Sequence, residues 1–197
     1  MTLSLRMQSI IFFPLLLVMP ELAQAHTGIG EFSGLAHGML HPFLGLDHLV
    51  AMMAVGLWAT QLGGRALWLA PSVFVLVMAL GGMFGVAVNP PHLIEGGILA
   101  SLLVLGVLIA ASIRLPLYAS LALVALFALF HGYAHGAELP HSVSAMNYVL
   151  GFMLSTAILH LSGILMATWL VKNGAAYWLR LAGLSIAVFG GALCIAN

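Results

Sequence analysis

Residues 37–48 read His-Gly-Met-Leu-His-Pro-Phe-Leu-Gly-Leu-Asp-His and lie inside an apolar stretch that runs from about Phe32 to Gln61. An apolar stretch of about 30 residues is longer than the roughly 20 residues that one untilted membrane helix needs. Pro42 and Gly45 both weaken a helix, and they occur where the polar side chains gather. We therefore predict a membrane helix that is broken at this point.

The composition of the chain is typical of a membrane protein. Of its 197 residues, 63% are hydrophobic and only 5% are charged, whereas a soluble domain carries roughly 25% charged residues. The five basic and five acidic residues cancel, which argues against nucleic acid as a partner. Cys194 is the only cysteine, so disulfides within the chain and thiolate metal clusters are excluded. The nine histidines are unexpected in such a chain and need a functional explanation.

The first 25 residues have the three-part pattern of a secretory signal peptide. One basic residue precedes the apolar core Ile10–Met19, and Ala23-Gln24-Ala25 forms a small-x-small cleavage site. An uncleaved first helix is the alternative, although a core of about ten residues is short for a membrane span. We predict a signal peptide over residues 1–25 and a membrane domain over residues 26–197, with His26 as the new N-terminus outside the cytoplasm.

Six apolar stretches make up the predicted membrane domain. They are Phe32–Gln61, Ala66–Val88, Pro91–Ile113, Pro116–Gly136, Ala145–Val171 and Ala175–Ile195. If the mature N-terminus lies outside, the inward loops contain all the basic residues of the mature chain, namely Arg65, Arg114, Lys172 and Arg180. This distribution satisfies the positive-inside rule. We predict an all-α bundle of six transmembrane helices in the inner membrane, with both mature termini in the periplasm.

The broken helix carries the first group of candidate metal ligands. On an ideal helix His41 and His48 share a face about 10 Å apart, whereas Asp47 points elsewhere. All three side chains can reach one ion only if the helix is broken, and discontinuous helices are where transporters place ion sites. We predict that His41, Asp47 and His48 form the essential ion site, in which Asp47 and His48 hold the ion near the midplane. His37 and His41 lie nearer the outer face.

The end of the fourth apolar stretch carries a second group. His131 and His135 are four residues apart, and Glu138 follows three residues later, so the three side chains share one helix face. Imidazole and carboxylate ligands suit nickel, cobalt, zinc or copper(II). The alternative interpretation is a pair of histidines that merely reach the membrane interface. We predict that these three residues bind metal at the outer mouth.

Weaker patterns suggest three further ligands. His92 and Glu95 are three residues apart at the outer start of the third stretch, where interfacial polar residues are also expected. After cleavage, His26 would offer both an α-amine and an imidazole to one ion. His160 stands alone in the fifth stretch, and a lone membrane histidine more often forms a hydrogen bond within the bundle than binds an ion. We include His26, His92 and Glu95 among the candidate ligands and leave the role of His160 open.

The two histidine groups share a short repeat. An HGxxH pattern occurs at residues 37–41 in the first stretch and at residues 131–135 in the fourth. Three spans followed by three spans of the opposite sense is the arrangement of an inverted repeat, which places its binding site at the interface of the two halves. The pattern is consistent with such a repeat.

Two motifs resemble the signature of the HupE/UreJ family. Residues 41–56 read HPFLGLDHLVAMMAVG and residues 130–138 read FHGYAHGAE. An HxxxxxDH motif paired with FHGxxHGxE is a specific combination, and the resemblance extends over the whole mature chain. It implies a secondary permease for nickel, or for cobalt, that supplies hydrogenase or urease maturation. It also implies the identity of the transport residues, which would be His41, Asp47, His48, His131, His135 and Glu138.

The sequence therefore predicts a permease, and not an enzyme, that carries Ni2+ or Co2+ as its substrate and needs no cofactor. Two alternatives stay open: a membrane haem protein with paired axial histidines such as His48 and His131, and a metal sensor that binds without transport. A metalloprotease is excluded because no His-Glu-x-x-His motif occurs. The expected partners are the metal ion and the lipid bilayer. The sequence does not decide between nickel and cobalt, or whether the chain forms a homo-oligomer.

Overall fold

The computed structural model describes residues 34–86, 93–139 and 143–196, and within them the chain forms α-helices joined by short connections. The helices are α1 (Gly34–Leu44), α2 (Leu46–Leu62), α3 (Ala66–Gly85), α4 (Leu93–Ala110), α5 (Leu117–Ala137), α6 (Ala145–Lys172) and α7 (Tyr177–Ala196). The described residues contain no strand, so the predicted all-α class is confirmed. The predicted signal peptide lies outside the described residues and stays a prediction.

The first predicted membrane helix is interrupted between α1 and α2, as the sequence predicted. The two helices meet at Gly45 at an angle of 84°, and Pro42 lies inside the last turn of α1. A Cβ atom at Gly45 would lie 2.9 Å from Asp47 Oδ1 and 3.2 Å from His48 Nδ1. Glycine therefore leaves room for these two polar side chains to fold back over the break.

Helices α3 to α7 are each long and apolar enough to cross a bilayer. The bent pair of α1 and α2 is also long and apolar enough when the two helices are counted as one span, which brings the number of candidate spans in the described residues to six. Their bounds follow the apolar stretches of the sequence closely. The protein is a multi-pass membrane helix bundle.

The glycines of the two HGxxH motifs bring helices into backbone contact. A Cβ atom at Gly132 of α5 would overlap the carbonyl of Met78 in α3, and one at Gly38 of α1 would overlap the carbonyl of Tyr148 in α6. Close packing of small residues favours helix association in lipid, because lipid tails are as apolar as the side chains and there is no hydrophobic driving force between helices. In each motif the glycine packs against a partner helix, and the last histidine of the motif, His41 or His135, is buried in the bundle.

The four basic residues of the described chain gather at one end of the bundle. Arg180 Nε donates to the carbonyl of Ala110 at 2.9 Å, and Gln61 Nε2 donates to the carbonyl of Ile109 at 3.1 Å. These bonds place the ends of α2 and α4 beside the start of α7. The other basic residues lie in or next to the same short connections, at Arg65, Arg114 and Lys172. The break between α1 and α2 and the C-terminal end of α5, which carry the histidine motifs, lie at the opposite end.

Candidate metal site

Four imidazole rings from three helices form one cluster. The centroid of the His135 ring lies 4.9 Å from that of His41 and 4.7 Å from that of His48, and the rings of His48 and His131 are 5.3 Å apart. The sequence predicted two groups of ligands, one on the broken helix and one at the outer end of the fourth apolar stretch. The structure joins them, because the bend at Gly45 turns the start of α2 toward the end of α5.

Asp47 orients His48. Its Oδ1 atom accepts a hydrogen bond from His48 Nδ1 at 3.0 Å and another from the His48 backbone N–H at 2.8 Å. An ionised carboxylate can only accept, so Nδ1 carries the hydrogen and the lone pair of the ring lies on Nε2. Histidines that bind metals commonly donate their other N–H to a carboxylate in this way. Asp47 therefore orients the His48 ring, and its role as a metal ligand stays a prediction.

His131 is oriented by the backbone of its own helix. Its Nδ1 donates to the carbonyl of Phe127 at 2.9 Å, and a carbonyl can only accept. The lone pair of His131 therefore also lies on Nε2. The ring is fully buried, and the rings of His48 and Phe74 contact it from neighbouring helices.

His41, His135 and Glu138 bring three donor atoms together. His41 Nε2 and Glu138 Oε2 are 2.7 Å apart, and one donor atom from each of the three residues lies within 4.8 Å of the others. Two donors that each lie about 2.1 Å from one ion can be no more than about 4.2 Å apart. No pair of these donors therefore has to close by more than about 0.6 Å. Small side-chain rotations are enough to bring all three onto one ion.

The chemistry of the cluster fits a divalent cation. The Nε2 atoms of His48, His131 and His135 are buried and have no hydrogen-bond partner among the described residues. Buried acceptors without a partner are costly, and a cation satisfies them. Asp47 and Glu138 supply two negative charges, and the basic residues lie at the other end of the bundle. Nitrogen and carboxylate donors favour nickel, cobalt, zinc or copper(II).

Two aromatic residues of α6 complete the walls of the site, and the sequence analysis did not single them out. The Tyr148 ring lies 5.8 Å from His41 and 6.1 Å from His37, and the Phe152 ring stacks on His135 at 5.0 Å. They are four residues apart at the start of the fifth apolar stretch. That spacing on one helix face was the available signal, but it is also typical of ordinary packing.

The remaining candidates lie around this cluster or outside the described residues. His37 is half-buried on α1 beside Tyr148. Glu95 is exposed in the first turn of α4 and is not one of the three residues with closely grouped donor atoms. His26 and His92 fall outside the described residues, so their roles stay predictions.

Fold and site together define a multi-pass helical membrane protein with a cluster of imidazole rings and two carboxylates, of which Glu138 is exposed. The family model for the HupE / UreJ protein matches residues 14–193. The chain is 42% identical over 179 residues to Protein HupE of Rhizobium leguminosarum bv. viciae, covering 91% of this chain and 93% of that protein. No solved structure matches the chain. The chain belongs to the HupE/UreJ family.

Proposed function

We propose that the protein is a permease that imports a divalent transition-metal ion across the inner membrane, with nickel as the first candidate and cobalt as the second. The observation that carries the proposal is the cluster of four imidazoles and two carboxylates beside the break between α1 and α2. Membership of the HupE/UreJ family supports a role in supplying metal to hydrogenase or urease. The proposed partners are the ion and the bilayer, and no resident cofactor is required.

The ion enters by replacing a hydrogen bond. One hydrogen lies between His41 Nε2 and Glu138 Oε2, which are 2.7 Å apart. An ion bound to both atoms must displace that hydrogen, because a nitrogen that carries it has no lone pair to give. Glu138 keeps about a third of its side chain exposed, with a relative exposure of 35%. It is therefore placed to meet a hydrated ion before the buried imidazoles do.

The proposed orientation puts this entrance outside the cytoplasm. With a cleaved signal peptide and periplasmic termini, the basic end of the bundle faces inward, as the positive-inside rule requires. Inward movement of a cation then follows the membrane potential. The potential contributes about 2.3 kcal/mol per charge for each 100 mV, and so about twice that for a divalent ion. Import therefore needs no nucleotide.

Uptake of radiolabelled nickel and cobalt tests the proposal in cells that lack their own transporters for these ions. We expect accumulation with the intact protein and its loss in His48→Ala and His135→Ala. Ser162→Ala is the matched control, because Ser162 is exposed on α6 and its hydroxyl bonds only to its own helix. Variants are compared at equal membrane levels. Metal binding to the purified protein without flux in cells would favour a sensor, and absence of both would contradict any metal function.

A further inference from the structure

His160 is a buried histidine that the proposed site does not use. It lies near the middle of α6, and its relative exposure is 1%. Neither Nδ1 nor Nε2 has a hydrogen-bond partner among the described residues. A buried imidazole must give up its hydrogen bonds with water, and this costs free energy unless another group replaces them.

The buried serine and threonine side chains do have partners. Their hydroxyl groups donate to backbone carbonyls or to a methionine sulfur, and they belong to Ser101, Ser120, Ser155 and Thr156. The Tyr148 hydroxyl and Gln61 Oε1 are buried without a partner among the described residues, as are both nitrogens of His135 and of His160. His160 thus shares with His135, a residue of the proposed site, an imidazole whose two nitrogens are both available to a ligand.

His160 continues the line of imidazoles toward the basic end of the bundle. The Phe74 ring lies 5.5 Å from the His131 ring and 5.1 Å from the His160 ring, so one aromatic side chain separates the outer cluster from His160. Phe74 is fully buried. His160 is therefore the imidazole that follows His131 in the inward direction among the described residues.

A cleft adjoins His160. The residue is part of the wall of a cleft of about 360 Å³ between α3 and α6, which extends along α3 from Trp68 to Leu76 and includes Ser72. Trp68 and Leu76 are each 61% exposed, and the lining is mainly apolar, so the cleft opens toward lipid. Because both nitrogens of His160 are buried, we expect an ion to reach them from within the bundle, past Phe74.

We propose that His160 is a second, inner ligand for the transported ion, which accepts it after it leaves the outer cluster. This inference rests on the proposed function, since it concerns the path of the same ion. The outer cluster captures the ion and sets the concentration for half-maximal uptake. His160 lowers the barrier to inward movement and sets the maximal rate. The transfer is a ligand exchange in which His131 Nε2 releases the ion and an imidazole nitrogen of His160 binds it.

Replacement of His160 by cysteine, which offers a thiolate, distinguishes a metal-binding role from a packing role. In a Cys194→Ser background, which removes the only native cysteine, His160→Cys and His160→Ala are similar in size, but only the first offers a metal ligand. We expect His160→Ala to lower the maximal rate of nickel uptake in proteoliposomes by about tenfold, with little change in half-saturation. His160→Cys should restore flux and raise the ratio of cadmium to nickel uptake, because thiolate prefers softer ions.

Each outcome of this comparison counts. If the intact protein takes up nickel and both variants behave alike with either ion, His160 is a packing residue and the inference is wrong. If the intact protein itself takes up no nickel, the proposed function fails, and the inference fails with it. For variants that do not fold, His160→Met and His160→Leu replace them, because they are similar in size and only methionine offers a soft ligand. We expect a higher ratio of cadmium to nickel uptake in His160→Met, and equal ratios in the two variants overturn the inference.

Discussion

Removal of the Asp47 carboxylate tests how the site is held together. Its Oδ1 atom accepts bonds of 3.0 Å and 2.8 Å from the ring and the backbone of His48. In Asp47→Ala the ring loses the partner that keeps its hydrogen on Nδ1 and its lone pair on Nε2. Loss of such an outer partner typically weakens metal binding by about 10- to 100-fold, or about 1.4–2.7 kcal/mol. Asp47→Asn keeps an acceptor oxygen but loses the charge, so we expect it to lie near the lower end of that range.

Nickel titration calorimetry on the purified protein measures this effect directly, with uptake at limiting nickel as the second readout. A double-mutant cycle identifies the route of the effect. Because Asp47 acts through His48, we expect Asp47→Ala combined with His48→Ala to bind no more weakly than His48→Ala alone. A double variant that is much weaker than His48→Ala would show that Asp47 contacts the ion itself. Normal nickel affinity in Asp47→Ala would refute the orienting role altogether.

Four further predictions follow from the same structure. His41→Ala and Glu138→Gln should be non-additive in nickel affinity, because the two donors are 2.7 Å apart; a simple product of the single defects argues against a shared ion. Gly132→Ala should destabilise the protein by about 1–3 kcal/mol and lower its melting temperature in detergent, since the new methyl group overlaps the carbonyl of Met78; an unchanged melting temperature contradicts this contact. Uptake should weaken as external pH falls below about 6, because imidazole binds metal only when neutral and its reference pKa is about 6.5; rising uptake instead indicates proton-driven symport. Mass spectrometry should find a mature chain that begins at His26, and an intact signal peptide would exclude a metal-binding N-terminus.

The sequence by itself determined the membrane fold and the chemistry of the ligands. The length of an apolar stretch predicts a membrane span, because a helix forms all its backbone hydrogen bonds internally and can therefore cross lipid. Helices α3 to α7 follow that pattern. Pro42 and Gly45 predicted the break because their backbone effects are local. Residue type alone restricted the ion to one that imidazole and carboxylate can bind.

Only the tertiary structure decided that the two histidine groups form one cluster. Helical periodicity relates residues a few positions apart, and it carries no information about which helices meet. The meeting of α1, α2 and α5 depends on the 84° bend at Gly45 and on glycine contacts such as that of Gly38 with Tyr148, which join residues far apart in the chain. Likewise, only the structure shows the hydrogen bond of Asp47 with His48 and the hydrogen on His131 Nδ1. The direction of a side chain is fixed by its packed surroundings and not by its position in the sequence.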